Sequence, residues 1–227
     1  MNILVIDAHP DDAELGLGGT IFKMVKSGYN VYILDLTDGE PTPFGTKEKR
    51  IEEAKKAAEI LGVKKRITLD LPNRYLFDTK EARIKVAEII REYEIDFIFT
   101  HQGDDTHPDH IAARKITDGA RFYSKLTKTD MKGNPRYPKR IFYYIASHKR
   151  KVFEPDFIID ITEEFEKKIE AIKCYESQFL LNPERRNVFD LVESVNKYYG
   201  SRIGTKYGEG IIIEESFGIK DISFLFK

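Results

Sequence analysis

The chain's 227 residues exceed the ~100 to 150 of a typical single domain and fall short of two comfortable ones, so one α/β domain over residues 1–227 is expected. With 41% hydrophobic and 33% charged residues the chain can bury a sizeable core, and a single cysteine, Cys174, excludes an internal disulfide framework. The 37 basic and 38 acidic side chains leave a net charge of −1, so nothing global draws the chain to nucleic acid. The lone cysteine points to a reducing, cytoplasmic setting. No segment approaches the ~20 apolar residues of a membrane span, and no membrane partner is expected. Apolar runs of strand length stand at Ile3 to Ile6 and at Asn30 to Leu36, with room between them for a crossover helix over Gly18 to Ser27 closed by Gly28. Thr37 to Thr46, crowded with Pro and Gly, reads as a loop.

A helix is expected over Lys47 to Leu61, with Ile51, Ala54, Ala58 and Leu61 on one face and Gly62 ending it. A short strand at Ile67 to Leu69, a helix over Thr79 to Tyr93 and a buried strand at Asp96 to Thr100 follow. Ile111 to Tyr123 reads as helix and Lys125 to Pro138 as a surface excursion. Arg140 to Ile145 and Asp156 to Ile161 read as strands. The pattern continues with a helix over Thr162 to Tyr175 capped by Thr162, a helix near Val188 to Tyr199 and a last strand at Gly210 to Ile213. Strand and helix alternate, which implies a Rossmann-like, mostly parallel sheet with helices on both faces.

Chemistry is concentrated in two places. The first strand ends in Ala8-His9-Pro10-Asp11-Asp12-Ala13-Glu14, and the Asp96 to Thr100 strand ends in His101-Gln102-Gly103-Asp104-Asp105-Thr106-His107-Pro108-Asp109-His110. A parallel sheet brings both to its carboxyl edge, where open α/β sheets bind ligands. Catalytic zinc needs three nitrogen or carboxylate ligands plus a position for water, and His9, Asp12 and His110 can supply them. Pro108 fits a first helical turn, which places His107 at the N-cap and His110 one turn on. Asp12 can then hold the metal while Asp11 takes a proton from water, as a hydrolase requires. His101 and His148 lack comparable partners and read as ordinary structural histidines.

These motifs, with Gly18-Gly19-Thr20, resemble those of the zinc-dependent N-acetylglucosaminyl deacetylases, the PIG-L or LmbE family. Asp35 to Glu40, Phe44-Gly45-Thr46, Arg50, Tyr175 to Phe179 and Gly204 to Gly210 are similar to its bacillithiol-pathway branch, which deacetylates N-acetylglucosaminyl-malate. The resemblance implies one zinc per chain on His9, Asp12 and His110, a general base at Asp11 and oxyanion stabilisation by His107 oriented by Asp109. It further implies substrate contact by Arg50, approach of Tyr207 to the reacting carbonyl, a small N-acetylated amino-sugar substrate and a homo-oligomer, a hexamer included. N-acetylated chito-oligosaccharides such as diacetylchitobiose are the alternative substrate.

A different class of reading is a non-catalytic sugar- or dinucleotide-binding module, because Gly16-Leu17-Gly18-Gly19 follows a strand and Asp35 ends the next. The dinucleotide fingerprint needs its first glycine at the strand-to-helix turn, which His9 to Asp12 occupy here. These glycines are expected instead to pack the first helix closely on the sheet.

Overall fold

The computed structural model describes residues 1–149, 151–185, 187–216 and 218. Seven strands form one sheet: β1 (Asn2–Asp7), β2 (Asn30–Asp35), β3 (Lys65–Thr68), β4 (Phe97–His101), β5 (Arg140–Tyr144), β6 (Phe157–Asp160) and β7 (Gly208–Ile212). Their spatial order is β3-β2-β1-β4-β5-β7-β6. The first five run parallel, and β7 is antiparallel to both its neighbours. Ile3 and Val5 of β1 pack into the core on one face, and Leu4 and Ile6 into the core on the other. This alternation is why the strand reads as a continuous apolar run.

Helices α1 (Asp12–Lys26), α2 (Lys47–Leu61) and α5 (Phe165–Lys173) cover the first face, while α3 (Lys80–Glu92) and α4 (Pro108–Ser124) cover the second. The short α6 (Glu176–Phe179) and the longer α7 (Val188–Arg202) complete the chain's helices. The expected Rossmann-like fold with helices on both faces is the fold observed. No helix among the described residues is long and apolar enough to cross a membrane.

Two local expectations need correction. Helix α1 begins at Asp12, six residues before Gly18, so its glycines lie within the helix. Their role is close packing: a Cβ on Gly16 would fall 2.5 Å from the Tyr144 ring of β5, and one on Gly19 only 2.7 Å from Ile161. Thr162 does not cap α5, because its hydroxyl donates to Asp160 at 2.7 Å and the helix starts three residues later. The last strand is antiparallel, a pairing that periodicity along one strand does not encode. The Lys125 to Pro138 excursion lies against α3, where Arg91 donates to the carbonyls of Ser124, Leu126, Met131 and Gly133.

Because β1 and β4 are neighbours in register, with Ile6 opposite Thr100, the turn after β1 and the histidine-rich segment after β4 meet at one edge.

Candidate active site

The turn between β1 and α1 is built of Pro10, Asp11 and Asp12. Asp11 has φ of +116°, a conformation that costs a non-glycine residue roughly 1 to 3 kcal/mol and persists where surroundings fix it. Those surroundings include Arg50 of α2, whose guanidinium lies 3.3 Å from Asp11 Oδ2 and donates to the Pro10 carbonyl at 2.5 Å. Asp12 then opens α1, where the helix N-terminus favours a carboxylate, and its Oδ2 accepts the His9 amide at 2.9 Å.

One donor atom from each of His9, Asp12 and His110 lies within 4.8 Å of the others. Each histidine is also backed by a second carboxylate. His9 has one ring nitrogen 3.2 Å from Asp12 and the other 3.1 Å from Asp109. His110 Nδ1 meets Asp105 at 2.7 Å, while its buried Nε2 faces Asp12 Oδ1 at 3.3 Å without forming a hydrogen bond. A carboxylate behind each ligating imidazole is how metal sites fix ring orientation, and an orphaned buried nitrogen aimed at the third ligand fits a divalent cation. The residues present therefore suit the metal that the motifs imply.

Without a metal, the same carboxylates hold both histidines charged at pH 7. Burial opposes a charged His9, but hydrogen bonds to Asp109 and Asp12 raise its pKa to about 9. Burial opposes a charged His110 too, and Asp12 and Asp105 outweigh it, raising the pKa to about 10. Asp12, although buried, is held well below the usual carboxylate range, above all by His110. The pocket thus gathers positive charge around Asp12. His107 behaves oppositely: burial and the neighbouring His110 and His9 lower its pKa to about 4, so the ring is neutral at pH 7.

His107 is the N-cap of α4, its Nδ1 accepting the Asp109 amide at 3.2 Å. A backbone N–H can only donate, so Nδ1 carries the lone pair and the neutral ring's proton sits on Nε2. The ring centroid is 4.8 Å from that of His9 and 4.7 Å from that of His110. This gives the pocket a neutral donor beside the candidate ligands.

Three further residues named from the sequence have contacts that it did not reveal. Arg50 is only 2% exposed, and its guanidinium meets Asp11 and the Pro10 carbonyl. Tyr207 is buried away from the described cluster, its ring stacked on Phe165 with centroids 3.7 Å apart and its hydroxyl donating to Glu193. Asp109 orients His9 rather than His107, and is itself held by the amides of Arg74 at 2.6 Å and Leu76 at 3.2 Å.

Sequence reasoning passed over His101, Asp105 and His148. His101 Nε2 accepts the Ala8 amide at 3.2 Å and lies 3.3 Å from Asp12, and burial lowers its pKa to about 4. Its position as the last residue of β4, beside β1, was the available signal. Asp105 accepts the amides of Thr106, His107 and His148 as well as the His110 ring, and so organises the whole segment. His148 stands half exposed at the rim, its ring centroid 5.2 Å from that of His110.

Residues 4–120 match the protein family described as PIG-L, GlcNAc-PI de-N-acetylase. The chain belongs to this family. The resemblance seen in the HPDD and HPDH motifs is therefore borne out. Across the PIG-L family, the chain is 34% identical to a diacetylchitobiose deacetylase of Thermococcus kodakarensis, over 92% of this chain and 81% of that one. It is 27% identical to a 4-oxalmesaconate hydratase of Pseudomonas putida, covering 77% and 73% of the two chains. It is 26% identical to a probable N-acetyl-α-D-glucosaminyl L-malate deacetylase 2 of Bacillus anthracis, covering 78% and 81%. A solved structure of a conserved protein from Thermus thermophilus superposes with a TM-score of 0.87 at 32% identity, covering 96% of each chain.

Proposed function

We propose that the protein is a zinc-dependent N-deacetylase that hydrolyses the acetamide of an N-acetylglucosamine-containing small molecule to acetate and a free amine. His9, Asp12 and His110 hold one metal per chain. The observation that carries this reading is the pairing of a carboxylate-backed ligand set with Asp11, which stands beside it at φ +116° in contact with Arg50. A bound zinc ion supplies a Lewis acid that polarises the amide carbonyl and lowers the pKa of water.

The chain's own residues do the rest. Asp11 accepts the proton of the attacking water as its oxygen bonds to the carbonyl carbon. His107, neutral and protonated on Nε2, donates a hydrogen bond to the developing oxyanion. Asp11 then returns the proton to the departing nitrogen as the carbon–nitrogen bond breaks. Asp109 and Asp105 hold the two histidines in register through each turnover.

The higher identity to a diacetylchitobiose deacetylase favours an N-acetylated disaccharide over N-acetylglucosaminyl-malate. The setting proposed is cytoplasmic and the assembly a homo-oligomer. The test is acetate release from diacetylchitobiose, N-acetylglucosamine and N-acetylglucosaminyl-malate side by side, with 4-oxalmesaconate hydration as a fourth arm. Acetate from the disaccharide is expected. Hydration with no acetate release would replace the deacetylase reading.

A further inference from the structure

We propose that Tyr75 and Phe77 form an aromatic rim that stacks against a second pyranose ring of the substrate, an inference that rests on the deacetylase reading above. The loop between β3 and α3 enters the site through its backbone. The Arg74 and Leu76 amides donate to Asp109 at 2.6 and 3.2 Å, and the same carboxylate receives His9 Nε2 at 3.1 Å. Arg74 turns the chain at φ +67°, and the buried Leu76 side chain anchors it beneath.

With residues 74 and 76 committed inward, the side chains between and after them are left outside: Tyr75 is 70% exposed and Phe77 69%. Side chains of this size normally bury ~150 to 250 Å² each, so two of them uncovered on the loop that holds Asp109 offer a binding surface. Arg74 Nη2 also donates to the Pro41 carbonyl at 2.6 Å, which ties this loop to the one carrying the exposed Phe44. A pyranose offers apolar C–H faces edged by hydroxyls. Two exposed aromatic side chains next in sequence to the exposed Arg74 offer partners for both features. Tyr75 and Phe77 each stand one residue beyond an amide that holds Asp109, and the proposal seats the second ring of a disaccharide on them.

The experiment compares the wild type with Tyr75→Ala, Phe77→Ala and the double variant. It measures kcat/KM on diacetylchitobiose and on N-acetylglucosamine, calorimetric binding of chitobiose (the fully deacetylated disaccharide), and assembly state by light scattering. The double variant is expected to lose about tenfold or more on the disaccharide and less than about twofold on the monosaccharide, with chitobiose binding weakened in parallel. Tyr75→Phe should retain most of the disaccharide preference. Equal loss on both sugars, loss on neither, or a change confined to the assembly state overturns the rim. If the wild type releases acetate from neither sugar, the deacetylase reading fails separately. The calorimetry then decides the rim alone: weaker chitobiose binding by the double variant supports it, and unchanged or absent binding overturns it.

Discussion

Arg50 Nη1 lies 3.3 Å from Asp11 Oδ2, and this contact joins α2 to the turn that carries the proposed general base. On the proposed mechanism Arg50 is a positioning residue that acts through Asp11. Arg50→Ala should lower kcat by about 10- to 100-fold with little change in KM, since small misplacements of a reacting group cost on that order. The loss should be equal on diacetylchitobiose, N-acetylglucosamine and N-acetylglucosaminyl-malate. Arg50→Lys should recover part of it. Breaking a buried ion pair should also cost about 3 to 5 kcal/mol of stability, measurable by denaturant titration. A loss concentrated on the malate-bearing substrate would return Arg50 to an aglycone role.

The neighbouring carboxylates should fail in different ways. Asp11→Asn is expected to keep its zinc and to lose roughly 10² to 10⁴ in turnover, the range supplied by general base catalysis. Asp12→Asn removes the anionic member of the ligand set, so its first defect should be metal affinity, and added zinc should restore part of its activity. Zinc content and turnover of both variants separate the roles. Loss of zinc from Asp11→Asn with retention by Asp12→Asn would exchange them.

Much of this site was legible because histidine and carboxylate residues recur at two strand ends, and a parallel sheet brings strand ends together without further information. His9, Asp12 and His110 were found by that logic. Asp105 escaped it because its importance lies in four hydrogen bonds made by one side chain, which no spacing reveals. Arg50 was singled out, but its contacts to Asp11 and Pro10 were not legible, since they depend on how α2 packs beside the turn. The close packing of the α1 glycines was legible in the sequence, but their neighbours Tyr144 and Ile161 were not, because they come from distant parts of the chain.

Metal loading should release protons. His9 and His110 have folded-state pKa values of about 9 and 10 in the metal-free protein, above the ~6.5 of an unfolded histidine. Their charge–carboxylate contacts stabilise the metal-free fold fully below pH ~6.5, and that stabilisation is lost as pH rises through about 9 to 10. A bound cation requires both rings neutral, so zinc binding at pH 7 should expel roughly two protons. Calorimetric titrations in buffers of different ionisation enthalpy count them. Binding without proton release would contradict the ligand assignment.

The carboxylates behind the histidines should tune affinity. Asp109→Asn and Asp105→Asn are each expected to weaken zinc binding by about 10- to 100-fold, measured by competition with a chromogenic chelator. Unaltered affinity in both would reduce these residues to loop anchors.

If His9, Asp12 and His110 hold a metal on which deacetylation depends, the most direct measurement is acetate release from diacetylchitobiose before chelation, after chelation and after zinc is returned, with metal content followed by elemental analysis. One zinc per chain is expected, with loss of activity as the metal leaves, recovery on its return, and neither binding nor recovery in His110→Ala. Undiminished acetate release from metal-free protein would contradict the metal's role.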